Sequence, residues 1–253
     1  MTHENITIDA SAGSAEAFLA HPDSGNGPWP GVLFLIDAIG LRPRIEEMAD
    51  RIASWGYVVL APNLFYRDGT AADLAPSEPL TTPEAREAFF ADVMPRVRAL
   101  TDDLVTPDLS AYLDALRGLP DVAPGDLGAT GYCMGGRLAL LAAATRPDDV
   151  GAIGLFHTGG LVTEEPTSPH RRLSEVRAEL LAQHADNDHS LPPAAVAEFE
   201  HALTSAGVVH HASVYPDAAH GYTMSDTAAF HPEATEQHFT DLRALFARTL
   251  SRG

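Results

Sequence analysis

One stretch of the chain couples a nucleophile to the backbone freedom it needs. Gly131-Tyr132-Cys133-Met134-Gly135-Gly136 sets the only cysteine of the 253 residues among glycines, in the Gly-x-nucleophile-x-Gly form of a sharp strand-to-helix turn. Side chains at 131 and 135 would collide with the neighbouring strand and helix. Such a turn also aims a helix amino terminus at the sulfur and at the carbonyl it attacks, favouring negative charge on both. A lone cysteine in an apolar segment is ordinarily a small buried side chain. The glycine frame marks Cys133 instead as a nucleophile, provided a base and an acid accompany it.

Those partners are expected later in the chain, acid before base. Among twelve histidines, His220 stands out in Tyr215-Pro216-Asp217-Ala218-Ala219-His220-Gly221-Tyr222, just after an expected strand, where a loop can carry an imidazole over the sheet edge as general base. The acid belongs to the loop after the preceding strand, Gln183 to Pro192. There Asp188 is preferred, because it stands just before the loop descends into the next helix; Asp186 is the alternative. His184, Asp186, Asp188 and His189 also resemble a metal cluster, but they lack the helical spacing that puts ligands on one face, and neither a metal nor a cofactor is expected. The loop Asp37-Ala38-Ile39-Gly40-Leu41 follows an early apolar strand. The backbone N–H of Ala38 is expected to join that of Met134 in holding an oxyanion.

The elements that position these residues alternate. Ile6 to Ala20, broken at Ser11-Ala12-Gly13, reads as a hairpin or as two short edge strands. The continuous apolar run Gly31 to Ile36 reads as a strand covered on both faces, and Pro43 to Trp55 as a helix with Ile45, Met48, Ala49 and Ile52 on one side. Strands are expected at Tyr57 to Ala61, Leu127 to Thr130, Gly151 to Phe156, Ala178 to His184 and His211 to Tyr215. Helices are expected at Asp102 to Leu119, Arg137 to Thr145, Pro193 to Ala206 and Thr235 to Leu250. This alternation argues for an α/β protein with a mostly parallel central sheet and helices on both faces. Two segments do not read as simple connections: Arg67 to Pro95 and His157 to Leu173. Both are expected to cover an active site or decorate the surface.

Composition narrows the partners. Sixteen Lys and Arg stand against 35 Asp and Glu, a formal charge of −19, which repels phosphate backbones and anionic membrane surfaces alike; no nucleic-acid or membrane partner is expected. A lone cysteine, the lack of a leader-like amino terminus and the lack of a long apolar run point to a cytoplasmic protein. It is expected to be a monomer or a small homo-oligomer that acts on a small molecule.

With these residues placed, the chain resembles the dienelactone hydrolases, the cysteine-dependent branch of the α/β-hydrolases. The likeness runs from Ile6 to Leu250 and is carried by the elbow Gly131 to Gly136, the acid loop around Asp188, and Tyr215 to Gly221. It implies an α/β-hydrolase fold, with residues 1–253 as a single domain, and hydrolysis of a lactone or carboxylic ester, as by a carboxymethylenebutenolidase, through Cys133, Asp188 and His220. The family places a glutamate near the thiol, implicated in its activation when substrate binds; this chain has the shorter Asp37 there, expected to activate the thiol or to support the residues that touch it. Family arginines that hold a substrate carboxylate have no counterpart after His220, which leaves Arg42, Arg67 or Arg137 as substitutes. The rival readings are a general carboxylesterase with little lactone preference, a noncatalytic small-molecule-binding protein of the same fold, and a peptidase, since thiols also attack amides.

Overall fold

The computed structural model describes residues 2–250. Strands β1 (Thr2–Ala10) and β2 (Gly13–His21) form the antiparallel hairpin expected at the amino terminus. β3 (Gly31–Leu35) and β4 (Val58–Pro62) are buried at every residue, which is why they read as unbroken apolar runs. β5 (Leu127–Tyr132), β6 (Val150–Phe156), β7 (Glu179–Asn187) and β8 (His210–Ala219) complete an eight-stranded sheet in the order β1-β2-β4-β3-β5-β6-β7-β8. Only the β1–β2 and β2–β4 pairs are antiparallel.

Helices cover both faces of the sheet. Helix α1 (Pro43–Ala53) starts with its proline in the first turn and turns Ile45, Met48, Ala49 and Ile52 inward. It shares one face with α7 (Pro232–Thr249), where Trp55 meets Phe239 edge-on and Tyr57 meets Phe246. Helices α4 (Asp102–Arg117) and α5 (Met134–Thr145) pack on each other against the other face, and α6 (Pro193–Ala206) flanks a 3-10 helix at Pro169–Glu175 that rests on α5.

From β3 the chain moves outward to β4, whereas from β5 it moves the opposite way, toward β8. A crevice therefore opens where β3 and β5 end side by side, the position at which open α/β sheets bind their ligands. No helix among the described residues is long and apolar enough to cross a membrane.

One expectation is corrected and another is made specific. β5 runs on to Tyr132 and α5 begins at Met134, so Cys133 alone links them; Gly135 and Gly136, which read as turn residues, are helical. They are small because of what lies beside them: a Cβ at Gly135 would overlap the Leu35 and Ile36 carbonyls, and one at Gly136 would overlap the Thr158 side chain. The segment from Arg67 to Pro95, expected to cover an active site or decorate the surface, is largely helical and brings Arg86 and Phe90 to the same cavity as Cys133. It holds the short α2 (Ala71–Leu74) and most of the 17-residue α3 (Pro83–Ala99). Helix α3 escapes a periodicity search because Val93 is its only fully buried residue. Its signature lies at its start, where the Thr82 hydroxyl accepts the Ala85 N–H, Pro83 opens the first turn and Glu84 follows.

Candidate active site

Cys133 sits at the bend between β5 and α5 with φ 56° and ψ −119°, a conformation seldom adopted by residues other than glycine. The bend is fixed from both sides: the Cys133 N–H donates to the Phe156 carbonyl at 3.1 Å, and a Cβ at Gly131 would overlap the Gly135 backbone. The sulfur therefore stands at the carboxyl edge of the sheet, over the amino terminus of α5.

Three chain segments distant in sequence meet there. The Cys133 Sγ lies 3.0 Å from Nε2 of His220, and Nδ1 of the same ring lies 2.7 Å from Oδ2 of Asp188. The other Asp188 oxygen accepts the Ser190 N–H at 2.8 Å and the Ser190 hydroxyl at 2.5 Å, and that hydroxyl also lies 3.1 Å from His220 Nδ1. Asp188 is almost wholly buried, its side chain 2% exposed, and the His220 side chain is 22% exposed. Burial works against the Asp188 carboxylate, but its hydrogen bond and attraction to His220, with the two Ser190 donors, hold its pKa below the usual aspartate range. Burial likewise opposes an imidazolium at His220. The negative charge of Cys133 and the hydrogen bonds to Asp188 and Cys133 outweigh it and push the pKa up to about 10.

Asp186 lies at the exposed end of β7 and does not join this group. Nor does the metal-like cluster converge: His184 turns into the core edge-on to Phe199, with both ring nitrogens unpartnered, while His189 is exposed.

The Ala38 and Met134 residues are both buried, and neither amide donates to an acceptor among the described residues. Buried N–H groups nearly always find a partner, so two idle donors beside the bend are suited to a negative oxygen formed during reaction.

Asp37 occupies the position at which the resemblance places a carboxylate that activates the thiol or supports the site. It lines the same cavity as Cys133, but both its carboxylate oxygens accept from Arg42, at 2.7 and 3.0 Å, and one also accepts the Ile39 N–H at 3.0 Å. Arg42 in turn reaches Asp226 at 2.5 Å. Burial disfavours the guanidinium charge, yet Asp37 and Asp226 together raise its pKa. The basic group against the sulfur is His220, and Asp37 is engaged elsewhere. The arginines expected to hold a substrate anion are engaged as well: Arg42 as above, Arg67 with Asp108, and Arg137 with Asp102 and the Leu100 carbonyl.

Sequence reasoning passed over three residues of the site. Arg86, on α3, stacks 4.9 Å over Phe90, lines the cavity and pairs with no acid among the described residues; the helix start at Thr82-Pro83 was the available signal for the element that carries it. His157, immediately after β6, has φ 38°, lies fully buried with its ring 5.4 Å from that of His220, and bonds Thr223 Oγ1 through Nε2 at 2.8 Å. Burial, with the neighbouring His220 and His238, pushes its pKa well below the ordinary histidine value, so it remains neutral. Ser190 had no signal beyond its place two residues after Asp188.

A mostly parallel α/β sheet that presents a cysteine on a strained bend, with an imidazole and a carboxylate from later segments beside it, has the α/β-hydrolase fold. The sequence pattern of the dienelactone hydrolase family matches residues 15–250. The chain therefore belongs to the dienelactone hydrolase family. A carboxymethylenebutenolidase of Rhodococcus opacus is 26% identical over 99% of this chain and 94% of its own, and a candidate carboxymethylenebutenolidase of Synechocystis is 29% identical over 97% and 96%. The crystal structure of a candidate dienelactone hydrolase from Klebsiella pneumoniae superimposes with a TM-score of 0.83 over 98% of both chains at 24% identity, a likeness of fold.

Proposed function

We propose that the chain hydrolyses carboxylic esters and lactones of the carboxymethylenebutenolidase type through a thioester on Cys133. With the Cys133 proton held on His220 Nε2, the sulfur attacks the substrate carbonyl carbon while the Ala38 and Met134 amides hold the developing oxyanion. As the intermediate collapses, the C–O bond breaks and the leaving oxygen takes the proton from His220. A water then gives a proton to His220 and bonds to the acyl carbon. The C–S bond breaks, the acid departs, and the sulfur and imidazolium return to their starting pair. Asp188 fixes the ring so that Nε2 faces the sulfur throughout.

The observation that carries this reading is the unbroken contact from sulfur to imidazole to carboxylate, 3.0 and 2.7 Å. The test is Cys133→Ala, assayed on activated aryl esters and a dienelactone with folding followed by circular dichroism. Loss of turnover in a folded variant supports the reading, and wild-type-like turnover refutes it.

A second reading, a carboxylesterase with little lactone preference, is favoured by the engagement of Arg42, Arg67 and Arg137 with acids of the protein. Arg86, which lines the cavity and meets no acid among the described residues, is then a cation placed to meet a substrate carboxylate. Comparing kcat/KM on a dienelactone and on a neutral aryl ester separates the two.

A further inference from the structure

His157 takes no part in the proton transfers, yet the end of β6 that carries it touches both the sulfur's bend and the imidazole's loop. The Phe156 carbonyl accepts the Cys133 N–H at 3.1 Å. The next residue, His157, bonds the Thr223 hydroxyl through Nε2 at 2.8 Å and meets the His220 ring edge-on, 5.4 Å between centroids. His157 is 1% exposed and holds φ 38°, a left-handed backbone that a residue with a side chain keeps only where its surroundings impose it. Its own N–H is pinned to the Gln183 carbonyl on β7 at 2.9 Å. Thr223, fully buried, carries the contact to His220. The Tyr222 N–H donates to the Ala219 carbonyl at 3.0 Å and the Met224 N–H to the Gly221 carbonyl at 2.9 Å. His220 and Thr223 thus lie in overlapping tight turns, and a shift of one is passed to the other. The Thr223 carbonyl is held as well, by the Arg44 guanidinium of α1 at 2.7 and 3.2 Å.

We infer that His157 is a positioning residue: through Thr223 it sets the His220 imidazole at its 3.0 Å from the Cys133 sulfur, so that one strand end, Phe156 and His157, gauges both partners. The inference rests on the hydrolase reading and adds the element that keeps the two reacting groups in register. His157 suits this place because its ring stays neutral. Burial and the neighbouring His220 and His238 disfavour its charge, and an uncharged ring does not repel an imidazolium at His220.

The test is a double-mutant cycle. His157→Phe keeps a ring and removes its nitrogens; Thr223→Val keeps the shape and removes the hydroxyl. Both are read by kcat and KM on 4-nitrophenyl acetate, by urea unfolding, and by titration of the His220 Cε1 proton. Each single substitution is expected to lower kcat by about a hundred-fold, the scale of a displacement of about 1 Å at a reacting pair, with KM nearly unchanged. The double variant is expected to lose no more than the worse single, because both remove the same bond. It is also expected to regain stability, since replacing both partners by apolar groups of like shape is nearly neutral, without regaining kcat. His157→Gln, whose amide nitrogen reaches the place of Nε2, is expected to recover most of the lost rate. In His157→Phe, or in Thr223→Val if that variant fails to fold, His220 is expected to titrate at lower pH than in the wild type, its contact with the sulfur loosened. Losses that multiply in the double variant, a kcat that rises with its stability, or an unchanged His220 titration overturns the inference and leaves the hydrolase reading intact. A wild-type protein that hydrolyses no ester removes the hydrolase reading, and the His220 titration then decides by itself whether His157 places the imidazole.

Discussion

Removal of the sulfur should change the acidity of an imidazole that it does not otherwise displace. His220 is held at about pKa 10, against 6.5 for an ordinary histidine, a preference for the charged ring of about 5 kcal/mol. Burial acts in the opposite sense, so the entire rise comes from Cys133 and Asp188. Cys133→Ala abolishes both contributions of the sulfur, its charge and its hydrogen bond, and leaves burial and Asp188 in place; the sign of the change is therefore downward. In the wild type the His220 Cε1 proton resonance should titrate near pH 10, and in Cys133→Ala well below that, toward the ordinary value. Kinetics provide a parallel reading. For an ester with a poor leaving group, wild-type kcat/KM should decline as pH rises through about 10, because the imidazolium that protonates the leaving oxygen is lost. A wild-type midpoint near 6.5, or a midpoint that remains near 10 without the sulfur, refutes the proposed pairing.

Three further outcomes are expected. Asp188→Asn, which cannot hold the ring in the same tautomer, should lower kcat on activated esters by about ten-thousand-fold with little change in the melting profile; a loss below ten-fold contradicts the role of Asp188. Arg86→Leu should raise KM for a carboxylate-bearing lactone by about ten-fold while changing KM for a neutral aryl ester by much less, as loss of a charge-assisted contact requires; equal effects on the two substrates rule out an anion-binding role. The third concerns acid stability. Burial, against the weaker pull of Asp188, lowers the His184 pKa to about 4 from 6.5, so between those values the unfolded chain binds a proton that the folded chain does not. Stability is full above about pH 6.5 and falls as pH drops through 4, by about 3 kcal/mol. His184→Leu should flatten this part of the urea-derived stability curve, and an unaltered slope between pH 7 and 4.5 counts against the assignment.

What the sequence discloses depends on whether the constraint is local. The bend at Cys133 is legible because tight packing there admits only glycine at Gly131 and Gly135, and the two positions flank the sulfur within five residues. Central strands are legible because burial on both faces demands continuous apolar runs. Helix α3 is not, because it lies on the surface of the fold and buries too little to imprint a period. The engagement of Arg42 is equally hidden, since Asp226 is 184 positions away and nothing near either residue signals the other. His157 is one of twelve histidines, distinguished only by the strand end and the left-handed backbone that place its ring beside His220.

The Asp37–Arg42–Asp226 bridge has a mechanical consequence. Asp37 adjoins Ala38, whose amide is assigned to the oxyanion, and Asp226 lies on the same short connection as His220. One guanidinium thus fastens the loop at Asp37 to the connection that carries His220. A displacement that pulls the imidazole off the sulfur must either part Arg42 from a carboxylate or drag the oxyanion loop along. Arg42 therefore ties the position of the loop that carries Ala38 to the position of the connection that carries His220.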